Sequence, residues 1–136
     1  MTKIDNNEYK TQLYTASLML MIASADNKID DAEIKAIEEI LIKNFHIDKK
    51  SCEKLIKESY RVIDEATDIY QIGSFINKQF SQKQKREFIS SIFQIAYSDK
   101  DLHFMERHLI KKIANILNIN RDEILDIKNK VIKDLL

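Results

Sequence analysis

Apolar residues recur along this chain every three or four positions, the spacing of α-helices with one buried face. Polar turns interrupt the pattern, and the sequence predicts seven helices. The first is expected over about residues 8–25, the second up to about residue 45 and the third over about 49–63. The predicted N-caps of the second, fourth, fifth and seventh helices are, in that order, Asp30, Asp64 or Thr67, Ser81 and Asn120.

The end of the first helix and the start of the second return later in the chain. Residues 22–33 match residues 95–106 at an offset of 73 positions. The matched pairs are Ile22 with Ile95, Ala23 with Ala96, Asp26 with Asp99, Ile29 with Leu102, and Glu33 with Glu106. The sequence therefore predicts two related helical hairpins, over about residues 8–45 and 82–118, within one domain that spans residues 1–136.

The composition favours an all-α fold. The chain has 136 residues, no proline and the single glycine Gly73, whereas β-rich domains draw on both residue types for their tight turns. A glycine inside the predicted fourth helix costs about 1 kcal/mol relative to alanine. The close approach of a neighbouring helix would explain it.

The charge balance argues against nucleic acid as a partner. Lysine plus arginine and aspartate plus glutamate both number 22, so the formal net charge is zero, whereas phosphate backbones and anionic membranes reward a basic excess. The charges are unevenly spread, with six acids against two lysines in residues 26–39 and a basic cluster of Arg107, Lys111 and Lys112. We interpret both groups as solvated helix faces.

A cytoplasmic location is expected. Cys52 is the single cysteine, so no internal disulfide can form, and its apolar neighbours at helical spacing predict a core residue. The longest apolar run, residues 16–23, includes Ser17 and is far shorter than the roughly 20 residues that span a bilayer. The N-terminus lacks the pattern of a signal peptide.

The repeated acids have two interpretations. As structural residues, Asp30 and Glu33 form a capping box, and Asp26 and Asp99 fold back onto the following turn. As a functional set, they converge on a hard divalent cation, Ca²⁺ or Mg²⁺, for which carboxylate oxygens are suitable ligands. The spacing is not that of an EF-hand loop. The candidate metal ligands are Asp26, Asp30, Glu33, Asp99 and Glu106.

The doubled motif resembles the TerB-like family. Residues 23–33 read Ala-Ser-Ala-Asp-Asn-Lys-Ile-Asp-Asp-Ala-Glu, and residues 96–106 read Ala-Tyr-Ser-Asp-Lys-Asp-Leu-His-Phe-Met-Glu. Both resemble that family's Ala-x-x-Asp-Gly-x-Ile-x-x-x-Glu, with Asn27 and Lys100 in place of its glycine. The family is named for tellurite resistance, and the same domain occurs at the front of a membrane-anchored DnaJ-type co-chaperone. The resemblance implies about seven helices, no catalytic activity, and shared acids that form a metal or partner site.

The expected function is that of a non-catalytic, stress-associated binding module, with no cofactor other than the candidate cation. The alternative is a helical adaptor for other proteins, in which the acids are only caps. The expected partners are other proteins, membrane-associated ones included, and not nucleic acid. The chain lacks a glycine-rich phosphate loop and a nucleophile elbow, so the remaining enzyme hypothesis is a hydrolytic site at His103 and Glu106.

Overall fold

The computed structural model describes residues 6–25, 29–65, 68–98 and 104–135, with the side chains of all of these except residues 6, 104 and 105. These residues form seven α-helices and no strand, so the predicted all-α class is confirmed. The helices are α1 (Asn6–Ala23), α2 (Asp31–Phe45), α3 (Lys49–Asp64), α4 (Ile69–Gln79), α5 (Gln82–Ala96), α6 (Phe104–Ile116) and α7 (Arg121–Leu135).

Three of the predicted N-caps are confirmed. The Asp30 carboxylate accepts a hydrogen bond from the Glu33 amide at 2.8 Å, and the side-chain oxygen of Asn120 accepts one from the Glu123 amide at 2.9 Å. Ser81 caps α5 in a complete capping box. Each cap satisfies an amide that the first turn of a helix leaves without a partner in the helix.

The predicted cap of α4 is wrong. Asp64 is the last residue of α3, and Thr67 lies outside the described residues. The cap is Asp68, whose carboxylate accepts a hydrogen bond from the Tyr70 amide at 2.9 Å. Asp64 is still helical, whereas Asp68, which immediately precedes α4, has the extended backbone of an N-cap residue.

Helix α1 lies at the centre of the core. It packs against α2, α3, α4, α5 and α6, so little of its circumference is left for solvent. Its second half is almost wholly buried, and α5 repeats this wide apolar surface, as the sequence predicts. The buried apolar residues of the two helices are Ala16, Leu18, Met19, Leu20, Ile22 and Ala23 in α1 and Phe88, Ile89, Ile92, Phe93, Ile95 and Ala96 in α5.

The helix contacts support the predicted repeat. Helix α2 packs against α1 and α5, and α6 packs against α5 and α1, so each second helix contacts both first helices. The third helix of each copy packs against the first helix of its own copy, α3 against α1 and α7 against α5. The offset of 73 relates the starts of α2 and α6, whereas 72 relates those of α3 and α7. The second copy is therefore one residue shorter from the start of its second helix to the start of its third, because α6 has 13 residues against the 15 of α2 while the turn after it is one residue longer.

Helix α4 joins the two copies and packs against α1 and α6. Its Gly73 is buried, and a Cβ atom at this position would lie only 2.7 Å from Cγ2 of Ile116 in α6. Carbon atoms at optimal van der Waals contact are about 3.5–4.0 Å apart. The predicted close approach of a neighbouring helix is therefore confirmed.

The apolar spacing of the sequence predicts Tyr60 and Leu135 on the inward faces of the third and last helices, but both residues are exposed. Tyr60 is 39% exposed, because the neighbouring Ser59 is wholly buried and donates a hydrogen bond to the Leu55 carbonyl at 2.8 Å. One residue is about 100° of helical rotation, which turns Tyr60 outward. Leu135 is 56% exposed at the end of α7, one turn beyond the buried Val131.

Candidate functional site

The two repeated loops begin with the same backbone turn and lead to helices that start at equivalent positions. After α1, the amide of Ala25 donates to the Ile22 carbonyl at 3.2 Å, and after α5 the amide of Ser98 donates to the Ile95 carbonyl at 3.1 Å. The second helix of each copy then starts at position 31 or 104, which are 73 residues apart. The repeat therefore includes the backbone turn that leads into each acidic loop.

The structure separates the five predicted metal ligands into three groups. Asp26 and Asp99 lie outside the described residues, so convergence of the two loops remains a prediction. Asp30 is exposed and caps α2. Glu33 and Glu106 are buried, with only 2% and 1% of their surface exposed.

Glu33 and Glu106 are each the third residue of a helix. The positive end of a helix dipole favours a carboxylate in the first turn. Burial works in the opposite direction, because an ionised carboxylate removed from water costs several kcal/mol unless hydrogen bonds, an opposite charge or a metal ion compensate it. An acid that only interacts with the helix dipole can remain exposed to solvent. Both copies instead bury a glutamate at this position.

The donor chemistry of these residues suits a hard cation. Carboxylate oxygens are preferred ligands of Ca²⁺ and Mg²⁺. Within the described residues, no three His, Cys, Asp or Glu side chains form a cluster that would hold a metal ion. Glu33 and Glu106 are the buried residues of the predicted ligand set, and its members Asp26 and Asp99 lie outside the described residues.

The cysteine and the histidines do not form a site among the described residues. Cys52 is wholly buried, and burial raises the pKa of its thiol above the ordinary value. His46 follows the predicted second helix, which indicates a turn residue rather than a ligand, and its φ of 54° at the end of α2 confirms this. His108 is exposed on α6, and His103 lies outside the described residues.

Sequence reasoning missed an open cleft beside α6 and α7. Its volume is about 630 Å³, and its lining includes Arg107, Lys111, Arg121 and Lys128. The basic cluster noted in the sequence contains Arg107 and Lys111, which are one helical turn apart. Arg121 and Lys128 are two helical turns apart on α7, and this spacing in the sequence could have indicated the second basic wall of the cleft.

The described helices contain no stretch that is both long and apolar enough to cross a bilayer.

The fold and the duplicated acids define a class of small helical-repeat proteins with a buried glutamate at the start of each second helix. The sequence matches the family described as "Tellurite resistance protein TerB" over residues 12–129, and the chain belongs to this TerB family. The resemblance of the doubled motif to that family is therefore confirmed.

A solved structure shares the fold along nearly the whole chain. It is the crystal structure of the protein of unknown function PG1108 from Porphyromonas gingivalis W83, with a TM-score of 0.67 and 18% sequence identity. The alignment covers 98% of this chain and 99% of that one. No curated protein matches the chain.

Proposed function

We propose that this TerB-family chain is a non-catalytic, stress-associated module that binds a divalent cation, Ca²⁺ or Mg²⁺, through its paired acidic loops. The observation that carries the proposal is the burial of Glu33 and Glu106 to 98% or more at equivalent positions of the two copies. Asp26 and Asp99, at equivalent positions of the two acidic loops, are the proposed partner ligands.

The argument rests on the chemistry of the repeated acids. A bound divalent cation favours the ionised form of each carboxylate ligand. Two glutamates and two aspartates offer up to eight carboxylate oxygens, and Ca²⁺ takes six to eight oxygen ligands. The ligand set suits one shared ion, or two ions with water completing each shell.

A helical adaptor for other proteins is the second candidate, and Asp30 favours it. This acid is exposed, and its 2.8 Å hydrogen bond to the Glu33 amide accounts for it as a cap without any cation. In the adaptor, all of the repeated acids have such structural roles, and the surface binds partner proteins, membrane-associated ones included. Dependence of stability on a divalent cation separates the two candidates.

The test is thermal unfolding of the metal-stripped protein with and without Ca²⁺, Mg²⁺, Mn²⁺ or Zn²⁺. An ion at a hundredfold excess over its Kd stabilises the folded state by about 2.7 kcal/mol. With an unfolding entropy of about 2.1 cal/mol/K per residue, this raises the Tm by about 9 °C for a chain of 136 residues. The shift is expected to disappear in the double variant Glu33→Gln/Glu106→Gln, which keeps the side-chain shape.

Exposed glutamates supply the matched control. Glu39 on α2 and Glu87 on α5 are exposed, so the variant Glu39→Gln/Glu87→Gln removes the same two charges without touching the buried pair. This variant should keep the full cation-dependent shift. The cation proposal is wrong if no ion shifts the Tm of the wild-type protein, or if the shift survives in the Glu33→Gln/Glu106→Gln variant.

A further inference from the structure

The two copies of the repeat differ in how their second and third helices pack. Helices α2 and α3 are packed against each other, whereas α6 and α7, whose backbone the structure describes in full, do not pack closely. The space between α6 and α7 is the cleft of about 630 Å³. The second copy thus opens a cleft where the first copy is closed.

Both walls of the cleft carry positive charge. Arg107 and Lys111 line it from α6, and Arg121 and Lys128 line it from α7, with no acidic residue among the lining side chains. In a chain of zero net charge, this is a local concentration of cations.

The base of the cleft is apolar. Leu125 is 45% exposed at its edge, Ile124 is half-buried beside it, and the deeper lining includes the buried Phe93 and Ile110. These apolar side chains line the same recess as the four cations. The cleft therefore combines an apolar strip with charged walls.

We propose that this cleft binds an acidic amphipathic α-helix of a partner protein. The apolar face of that helix would cover Ile124 and Leu125, and its acids would pair with the cations of the two walls. Charge complementarity supports this occupant, because Arg107 and Lys111 are about 6 Å apart along α6, and Arg121 and Lys128 about 10 Å apart along α7. A docked helix presents its side chains at the same intervals of one and two turns.

The arrangement of the charges distinguishes this occupant from other anions. An anionic lipid carries its charge at one end, whereas the four cations are spread along both walls of an open cleft. Nucleic acid offers no apolar face for Leu125 and rewards a basic net charge, which this chain lacks. The inference does not depend on the proposed cation site, since it uses none of the repeated acids.

The test uses a synthetic, fluorescently labelled helical peptide with leucines at i, i+4, i+7 and i+11, and glutamates on the flanking positions. Its affinity for the full chain is measured by fluorescence anisotropy at low and high salt. We expect micromolar binding that weakens about tenfold or more in the variant Lys111→Glu/Lys128→Glu, because both charges face the same ligand. Leu125→Asp should weaken binding similarly, since it places a charge on the apolar strip.

Exposed lysines elsewhere provide the control. Lys54 and Lys57 lie on α3, the counterpart of α7 in the first copy, and the variant Lys54→Glu/Lys57→Glu makes the same change of charge. It should bind the peptide within about twofold of the wild-type affinity, as expected for charges outside the contact. A peptide with lysines in place of its glutamates should prefer Lys111→Glu/Lys128→Glu over the wild-type chain, a gain that misfolding cannot produce.

Four results would overturn the proposal. They are no binding of the acidic peptide at millimolar concentration, equal binding by the cleft and control variants, equal binding of a scrambled peptide of the same composition, and tighter binding of duplex DNA or phosphatidylserine vesicles. Sedimentation of the free chain adds a fifth, because self-association abolished by Lys111→Glu/Lys128→Glu would make a second copy the occupant.

Discussion

Replacing Gly73 by alanine tests the packing of α4 against α6, which joins the two copies of the repeat. Two effects of opposite sign compete at this position. Alanine is favoured over glycine inside a helix by about 1 kcal/mol. The new Cβ atom, however, would lie 2.7 Å from Cγ2 of Ile116 and 3.4 Å from its Cβ.

The steric effect should be the larger one. Cγ2 is attached to a β-branched carbon, so it cannot move away without a change of the stiff χ1 angle or a shift of α6. Adding a methyl group to a packed site costs about 1–3 kcal/mol. With the helix-propensity gain of about 1 kcal/mol subtracted from a cost of about 2, Gly73→Ala should destabilise the fold by about 1 kcal/mol. The Tm should then fall by about 3–4 °C.

Chemical denaturation of four proteins measures this: wild type, Gly73→Ala, Ile116→Ala and the double variant. Because Ile116→Ala removes Cγ2, it should cost less in the Gly73→Ala background than in wild type, with a coupling energy of about 1–2 kcal/mol. Ser74→Ala at the exposed neighbouring position reports the propensity gain alone and should be neutral or stabilising. A Gly73→Ala protein that is more stable than wild type, with no coupling to residue 116, would refute the close approach.

Three further predictions concern single side chains. The hydrogen bond from the Ser51 amide lowers the pKa of the Asp48 carboxyl below its ordinary value of 3.8. The stability that this bond adds is therefore complete above pH 3.8 and is lost as the pH falls through the lower pKa of the folded state. Asp48→Asn should flatten this part of an acid-unfolding curve. Burial and the 2.8 Å hydrogen bond to Glu58 raise the pKa of Tyr9 from 10.0 to about 12, so this stability is complete below pH 10.0 and lost as the pH rises to about 12. The difference between the tyrosinate absorbance curves of wild type and Tyr9→Phe should have its midpoint near pH 12, and a midpoint near pH 10.0 would contradict this. Cys52 should react with a thiol reagent only as fast as the protein unfolds, because it is buried and the pKa of its thiol is raised, and fast labelling of the native state would contradict that burial.

The fold was predictable because local signals agree with the tertiary structure. The absence of proline, the wide apolar surfaces of α1 and α5 and the caps Asp30, Ser81 and Asn120 each indicate the observed helices. The prediction errors concern the end of one helix and the orientation of one side chain. The third helix continues through Asp64, and Tyr60 turns outward because the smaller Ser59 takes the buried position.

The candidate site was predictable only in part. The repeat identified Glu33 and Glu106 as equivalent residues, but their burial depends on how α1, α2, α5 and α6 pack, which no local pattern specifies. The basic cleft was even harder to predict from the sequence. Its four cations come from two helices, and a cleft forms only because α6 and α7 are not packed as closely as α2 and α3.

The measurement that tests the central claim most directly is the number of ions bound per chain. Equilibrium dialysis of the metal-stripped protein against Ca²⁺ and against Mg²⁺, followed by elemental analysis, should find one ion per chain if the loops share a site and two if each loop binds its own. The Glu33→Gln/Glu106→Gln variant should bind none, and the Glu39→Gln/Glu87→Gln control should bind as wild type does. A wild-type chain that retains neither ion, or a Glu33→Gln/Glu106→Gln variant that retains as many as wild type, would contradict the account.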